Sequence, residues 1–80
     1  MTPVVLRSGP YRFYFHSRET GEAPHVHVDR DDHSAKFWLT PVQLSRNLGF
    51  AQHELRRLEL VILHHQAALL EAWHDFFQRD

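Results

Sequence analysis

Residues 25 to 39 read His25-Val26-His27-Val28-Asp29, Arg30-Asp31-Asp32-His33-Ser34, Ala35-Lys36-Phe37-Trp38-Leu39. The outer two segments alternate with period two and a charged turn separates them, so the stretch predicts a β-hairpin with one face in a core. Working towards the N-terminus, Tyr11-Arg12-Phe13-Tyr14-Phe15-His16 alternates in the same sense, and Val4–Arg7 is short and β-branched before the turn Ser8-Gly9-Pro10. The polar segment Ser17–Pro24 reads as a loop, with Pro24 holding Ala23 extended at the entry to the next strand. Sorting four strands by parity places Val4, Leu6, Tyr11, Phe13, Phe15, Val26, Val28, Ala35, Phe37 and Leu39 on one face. The other face then carries Val5, Arg7, Arg12, Tyr14, His16, His25, His27, Asp29, Lys36 and Trp38.

Towards the C-terminus the pattern becomes helical at Thr40. Thr40-Pro41-Val42-Gln43 has an N-cap Thr, Pro at the first helical position and Gln three residues after the cap, so it predicts a short helix to about Leu48 that stops at Gly49. A second helix is expected from about Ala51, with Phe50 and Leu55 as a hydrophobic staple and Glu54 as half of a capping box. No breaker follows before Gln78, and an unbroken helix of that length would be roughly 40 Å long, against a domain diameter of about 30 Å. Its end must therefore overhang, bend or meet a partner. The fold class that follows is α+β: one domain over residues 1–80, with a small, mostly antiparallel sheet of about four strands (1–39) packed against a short helix and a long C-terminal helix (40–80).

Composition bounds the function. The chain has 80 residues, nine Lys+Arg, ten Asp+Glu, eight His and no Cys. A core this small sits near the lower limit for self-sufficiency, which makes partner contact a natural expectation. Absent cysteine removes disulfides and thiolate metal sites. The longest wholly apolar runs, Leu60–Leu63 and Ala67–Leu70, fall far short of the ~18 residues of a membrane span, and no signal-peptide core is visible, so the expected location is the cytoplasm. A formal charge of −1 argues against a generally basic nucleic-acid coat.

The open sheet face carries the chemistry. Arg7, Arg12 and Lys36 with Tyr14 and Trp38 form an expected anion-binding set, because guanidinium forks suit phosphate oxygens and aromatic rings stack on unpaired bases. His25, His27 and His16 are candidate acid–base groups beside them. No metal or cofactor is assigned: His25-x-His27 can chelate only with a third ligand such as His16 or Asp29, and the neighbouring cations oppose a divalent ion. On the last helix Leu55, Leu58, Ile62, His65, Leu69, Trp73 and Phe76 make one stripe. Its flank and end, Leu63, Leu70, Trp73, Phe76 and Phe77, are the expected contact for a protein partner or a second copy. Leu44–Leu58 also has helix-turn-helix spacing around Gly49, with Gln52, His53, Arg56 and Arg57 as readers, and supports an alternative as a non-catalytic DNA-binding or regulatory protein. A His-based metal hydrolase is a further alternative.

Leu6–Phe15, Glu22–Val28, Ala35–Leu39, Gly49-Phe50 with Glu54-Leu55, and Glu71-Ala72-Trp73 together resemble the small bacterial family called domain of unknown function four-one-six-zero. Ala23 and Ala51 depart from the residues common there, a second proline and a capping serine. The resemblance implies a toxin-like component of a bacterial type II toxin-antitoxin pair, bound by a protein antitoxin encoded beside it; the cationic sheet face adds the expectation of an anionic target, RNA or the translation machinery. The resemblance implies no catalytic residues.

Overall fold

The computed structural model describes residues 4–19 and 21–77. Five strands, β1 (Val4–Ser8), β2 (Tyr11–Tyr14), β3 (His25–Arg30), β4 (His33–Leu39) and β5 (Val42–Leu48), form one antiparallel sheet in chain order. Two helices follow, α1 (Gln52–His64) and α2 (Gln66–Phe77). The α+β class is as expected, with five strands rather than four.

Strand parity sets the core. Tyr11, Phe13, Phe15, Val26, Val28, Ala35, Phe37 and Leu39 are all buried, and Phe50, Leu55, Leu58, Ile62, Leu69 and Trp73 cover them. Phe13, Phe15 and Phe37 are almost wholly sealed, so each contributes about 1.5–3 kcal/mol relative to an exposed ring. The helices therefore lie on one face of the sheet and leave the other open. Arg30 pairs with His33 across a two-residue turn, where Asp31 adopts a positive φ of 55°, a conformation that Asp tolerates better than most side chains.

Three expectations are corrected. Val42–Leu48 is the edge strand β5, paired with β4 from Leu39↔Val42 to Ser34↔Leu48, and not a short helix. Thr40-Pro41, read as cap and first helical residue, instead closes a tight hairpin through a cis peptide bond, the arrangement of a turn with proline in its third position. Pairing with β4 overrides a weak helical pattern, and the helix-turn-helix geometry loses its first helix. Gly49 ends a strand instead: its φ is +101° and a Cβ there would meet the His33 ring at 2.7 Å, while the Asn47 side chain bonds both the N–H and the carbonyl of Phe50 at 3.0 Å.

The helix expected to run from Ala51 to Gln78 is interrupted at His65, whose N–H reaches the carbonyls of Val61 and Ile62. Gln66 Nε2 donates to the Leu39 carbonyl at 2.7 Å, tying the start of α2 to the end of β4. The break lets both helices stay on a domain of 39 × 23 × 21 Å; Gln78 lies outside the described residues. Finally, a register shift in β1 pairs Val4 with Tyr14 and Leu6 with Phe13. Val4 thereby leaves the core face and stands exposed, while Val5 packs against the core. None of the described helices is long and apolar enough to cross a membrane.

Candidate functional site

Strand register arranges the open face in rows. One row runs Arg7, Arg12, Asp29, Ser34, Leu48 across the five strands, and the next runs Val4, Tyr14, His27, Lys36, Arg46. A third holds His25, Trp38 and Gln43. Every strand residue expected on this face is there except Val5, and Val4, Ser34 and the β5 residues Gln43, Arg46 and Leu48 join it. The sequence pattern reads Arg46 as helical, and only the pairing of β5 with β4 brings it to the sheet.

The loop between β2 and β3 changes the chemistry of the face. Glu19 Oε1 accepts hydrogen bonds from His25 Nε2 at 2.6 Å and His27 Nε2 at 2.7 Å. His25 Nδ1 donates to the Ala23 carbonyl at 2.9 Å, its side chain is fully buried, and its ring lies 4.9 Å from Trp73 and 5.6 Å from Trp38 between centroids. His25 is thus locked behind the surface, with both nitrogens committed. His27 is only partly covered: it stacks on Tyr14 at 5.4 Å and meets the edge of the exposed His16 at 4.4 Å. Its Nδ1 has no hydrogen-bond partner among the described residues. Of the three imidazoles assigned to acid–base work, His27 and His16 therefore reach solvent and His25 does not.

Charge follows the same geometry. Burial alone would raise the Glu19 carboxyl, but the hydrogen bonds and charges of His25 and His27 outweigh it and bring the pKa down to about 2. Burial lowers the pKa of His27, and the His16 and His25 charges add to this against the opposing pull of Glu19. Tyr14 is pushed up to about 12, first by burial and then by Asp29, to which its hydroxyl donates at 3.0 Å. Arg12 pairs with Asp29 at 3.6 Å. Lys36 bonds Glu22 at 2.6 Å and lies over the Trp38 ring at 4.6 Å. Arg7 and Arg46 have no ion pair among the described residues. A pocket of about 220 Å³ opens between Val4, Arg12, Tyr14, His16 and Asp29.

The model of the family described as Domain of unknown function (DUF4160) matches residues 11–74, a span that holds β2 through most of α2 and every residue of the Glu19 cluster. The chain belongs to this family. Comparison with curated proteins and with solved structures finds no match. Within this DUF4160 domain the helix residues expected to meet a partner divide. Trp73 is buried against Phe15 and His25, and Leu70, Phe76 and Phe77 pack on the core. Leu63 stays exposed beside the exposed Leu60.

Glu19 and Glu22 were missed from sequence because their loop has no period to read. The signal present was indirect: two carboxylates lie within six residues of a His-x-His strand, on a loop that must turn back over it.

Proposed function

We propose that the open sheet face binds a phosphate-bearing target, RNA foremost, and that the chain is the toxin-like member of a two-protein bacterial module in the cytoplasm, held in check by a protein antitoxin. The observation that carries the reading is the Arg7↔Arg12 pair. Like charges directly opposite each other on adjacent strands destabilise a sheet; Asp29, 3.6 Å from Arg12, offsets one of the two, and Arg7 has no ion pair among the described residues. Here both are exposed at the same face as the pocket, and Tyr14 and His16 supply ring surfaces there. Guanidinium forks for phosphate beside rings for bases are the parts of a single-strand binding surface.

Fluorescence anisotropy with a labelled single-stranded RNA oligomer tests the contact. Affinity is expected to fall with salt, and Arg7→Ala/Arg12→Ala is expected to flatten the log–log salt slope by about 1.4, two phosphate contacts at ~0.7 each. A folded double variant with an unchanged slope would remove this face from the reading. Expression of the parent chain alone in bacteria is expected to arrest growth, with the same variant relieving the arrest; unimpeded growth with soluble parent protein would sink the toxin assignment.

A further inference from the structure

We propose that Glu19, His25 and His27 form a binding site for a divalent transition metal, zinc first, a site separate from the Arg7/Arg12 contact. Glu19 Oε1 and the Nε2 atoms of the two histidines all lie within 4.8 Å of one another. Two imidazoles and one carboxylate are a donor set that zinc and its neighbours favour and that magnesium and calcium do not. The third ligand that strand spacing alone could not supply comes from the loop.

The surroundings are those of a ligand set. A metal-binding histidine characteristically gives its other ring nitrogen to a carbonyl or carboxylate, which fixes the tautomer and aims the ligating atom. His25 does this through Nδ1 and the Ala23 carbonyl, and Trp38 and Trp73 hold the ring plane. The proton that now lies between Nε2 and the carboxylate is what a metal ion would displace. His27 is aimed by its stack on Tyr14. Two of the cations that would repel a divalent ion are already engaged, Lys36 with Glu22 and Arg12 with Asp29.

The distances also leave a consistent adjustment. Hydrogen bonds hold Glu19 Oε1 at 2.6 and 2.7 Å from the two nitrogens, whereas ligands on tetrahedral zinc at the usual bond lengths sit roughly 3.3 Å apart. Glu19 must therefore withdraw by about half an ångström, which its position on a loop permits, and the two Nε2 atoms, within 4.8 Å of each other, must close to the same spacing, which the partly exposed His27 can supply by turning. The side chains of Glu19 and His27 are 24% and 13% exposed, so the ion has a way in. Three protein ligands leave a fourth coordination position for water or an anion, the pattern of reactive rather than purely structural zinc.

Metal analysis of full-length protein purified without an affinity tag, equilibrated with zinc and dialysed, is expected to return one equivalent per chain. Cobalt in its place is expected to show visible d–d bands of a low-coordinate site. Glu19→Gln and His27→Gln, both at partly exposed positions and checked for parental circular dichroism, are each expected to weaken zinc by roughly 100-fold or more, beyond the 10–100-fold typical of an outer-shell partner. His53→Gln and His74→Gln, on the exposed side of the helices, are expected to leave it unchanged. No retained metal in the parent, or equal retention by folded Glu19→Gln and His27→Gln, would overturn the site.

Discussion

Two carboxylates in this domain do the same thing with different partners. Glu54, in the first turn of α1, accepts from the Tyr11 hydroxyl at 2.9 Å and from Arg30 at 2.9 and 3.0 Å through two guanidinium nitrogens. Glu19 accepts from two imidazoles. Each carboxyl is held below its ordinary range, Glu54 by the Arg30 and Tyr11 hydrogen bonds and Glu19 by His25 and His27 against the cost of burial. The difference lies in what can be exchanged. A guanidinium keeps its protons across the working range of a cell, so the Glu54 cluster is a permanent tie between sheet and helix. Imidazole nitrogens can exchange a proton for a metal ion, so the Glu19 cluster has a second state open to it.

Breaking the wall behind the Glu19 cluster should have the largest effect. Trp73→Ala removes the ring that packs against His25, Phe15 and Phe77 and is expected to cost about 3–5 kcal/mol in urea unfolding. A loss below about 1 kcal/mol would mean that the site does not depend on that wall.

Exchanging the two acids separates their roles. Glu54→Gln is expected to lower the melting temperature of metal-free protein more than Glu19→Gln does, since it breaks a bidentate pair that joins sheet to helix, and to leave zinc uptake intact. Glu19→Gln should do the reverse. Equal effects on both readouts would erase the distinction.

Acid should find the Glu19 cluster as well. A carboxyl lowered from its ordinary value of 4.5 to about 2 contributes stability that is present above the unfolded value and lost as pH falls through the folded one. His27, lowered from 6.5, likewise binds protons less readily folded than unfolded, so the two act in the same direction. Metal-free protein is expected to weaken progressively as pH falls below about 6.5 and again between about 4.5 and 2. In Glu19→Gln the lower of these steps should shrink, and a superimposable acid profile would argue against the assignment. At the other extreme Tyr14, raised from 10.0 to about 12, favours the folded state below pH 10, and that contribution disappears between 10 and 12. Phenolate absorbance from this residue should appear only near the upper figure, and Tyr14→Phe should remove it. Of the four effects this should be the smallest.

Much of this contrast is legible in the sequence. Period-two alternation placed Phe13, Phe15, Val26, Val28, Phe37 and Leu39 in the core and His25, His27 and Lys36 opposite, because a strand leaves its residues no other choice of face. The helical stripe through Leu55, Leu58, Ile62, Leu69 and Trp73 was legible for the same reason. What escaped were decisions made by chain reversal. Thr40-Pro41 suits a helix cap and a tight hairpin equally, and only the open edge of β4 chooses between them. Val4 changed face through one irregular pairing in β1. Glu19 and Glu22 lie in a segment whose path depends on the two strands it joins, so the carboxylates that bind His25, His27 and Lys36 could not be placed by pattern.

The chain-order sheet has a consequence for how the domain comes into being. Every strand pairs with the one made just before it, so the sheet needs no distant segment to begin forming, a topology of local contacts that favours rapid folding. Glu19, His25 and His27 span nine positions and are gathered by a single strand-to-strand crossing. Trp73, which closes the back of that cluster, emerges more than forty residues later. Synthesis thus delivers the reactive groups first and their cover last, and an ion or partner arriving in that interval would meet the cluster before it is sealed.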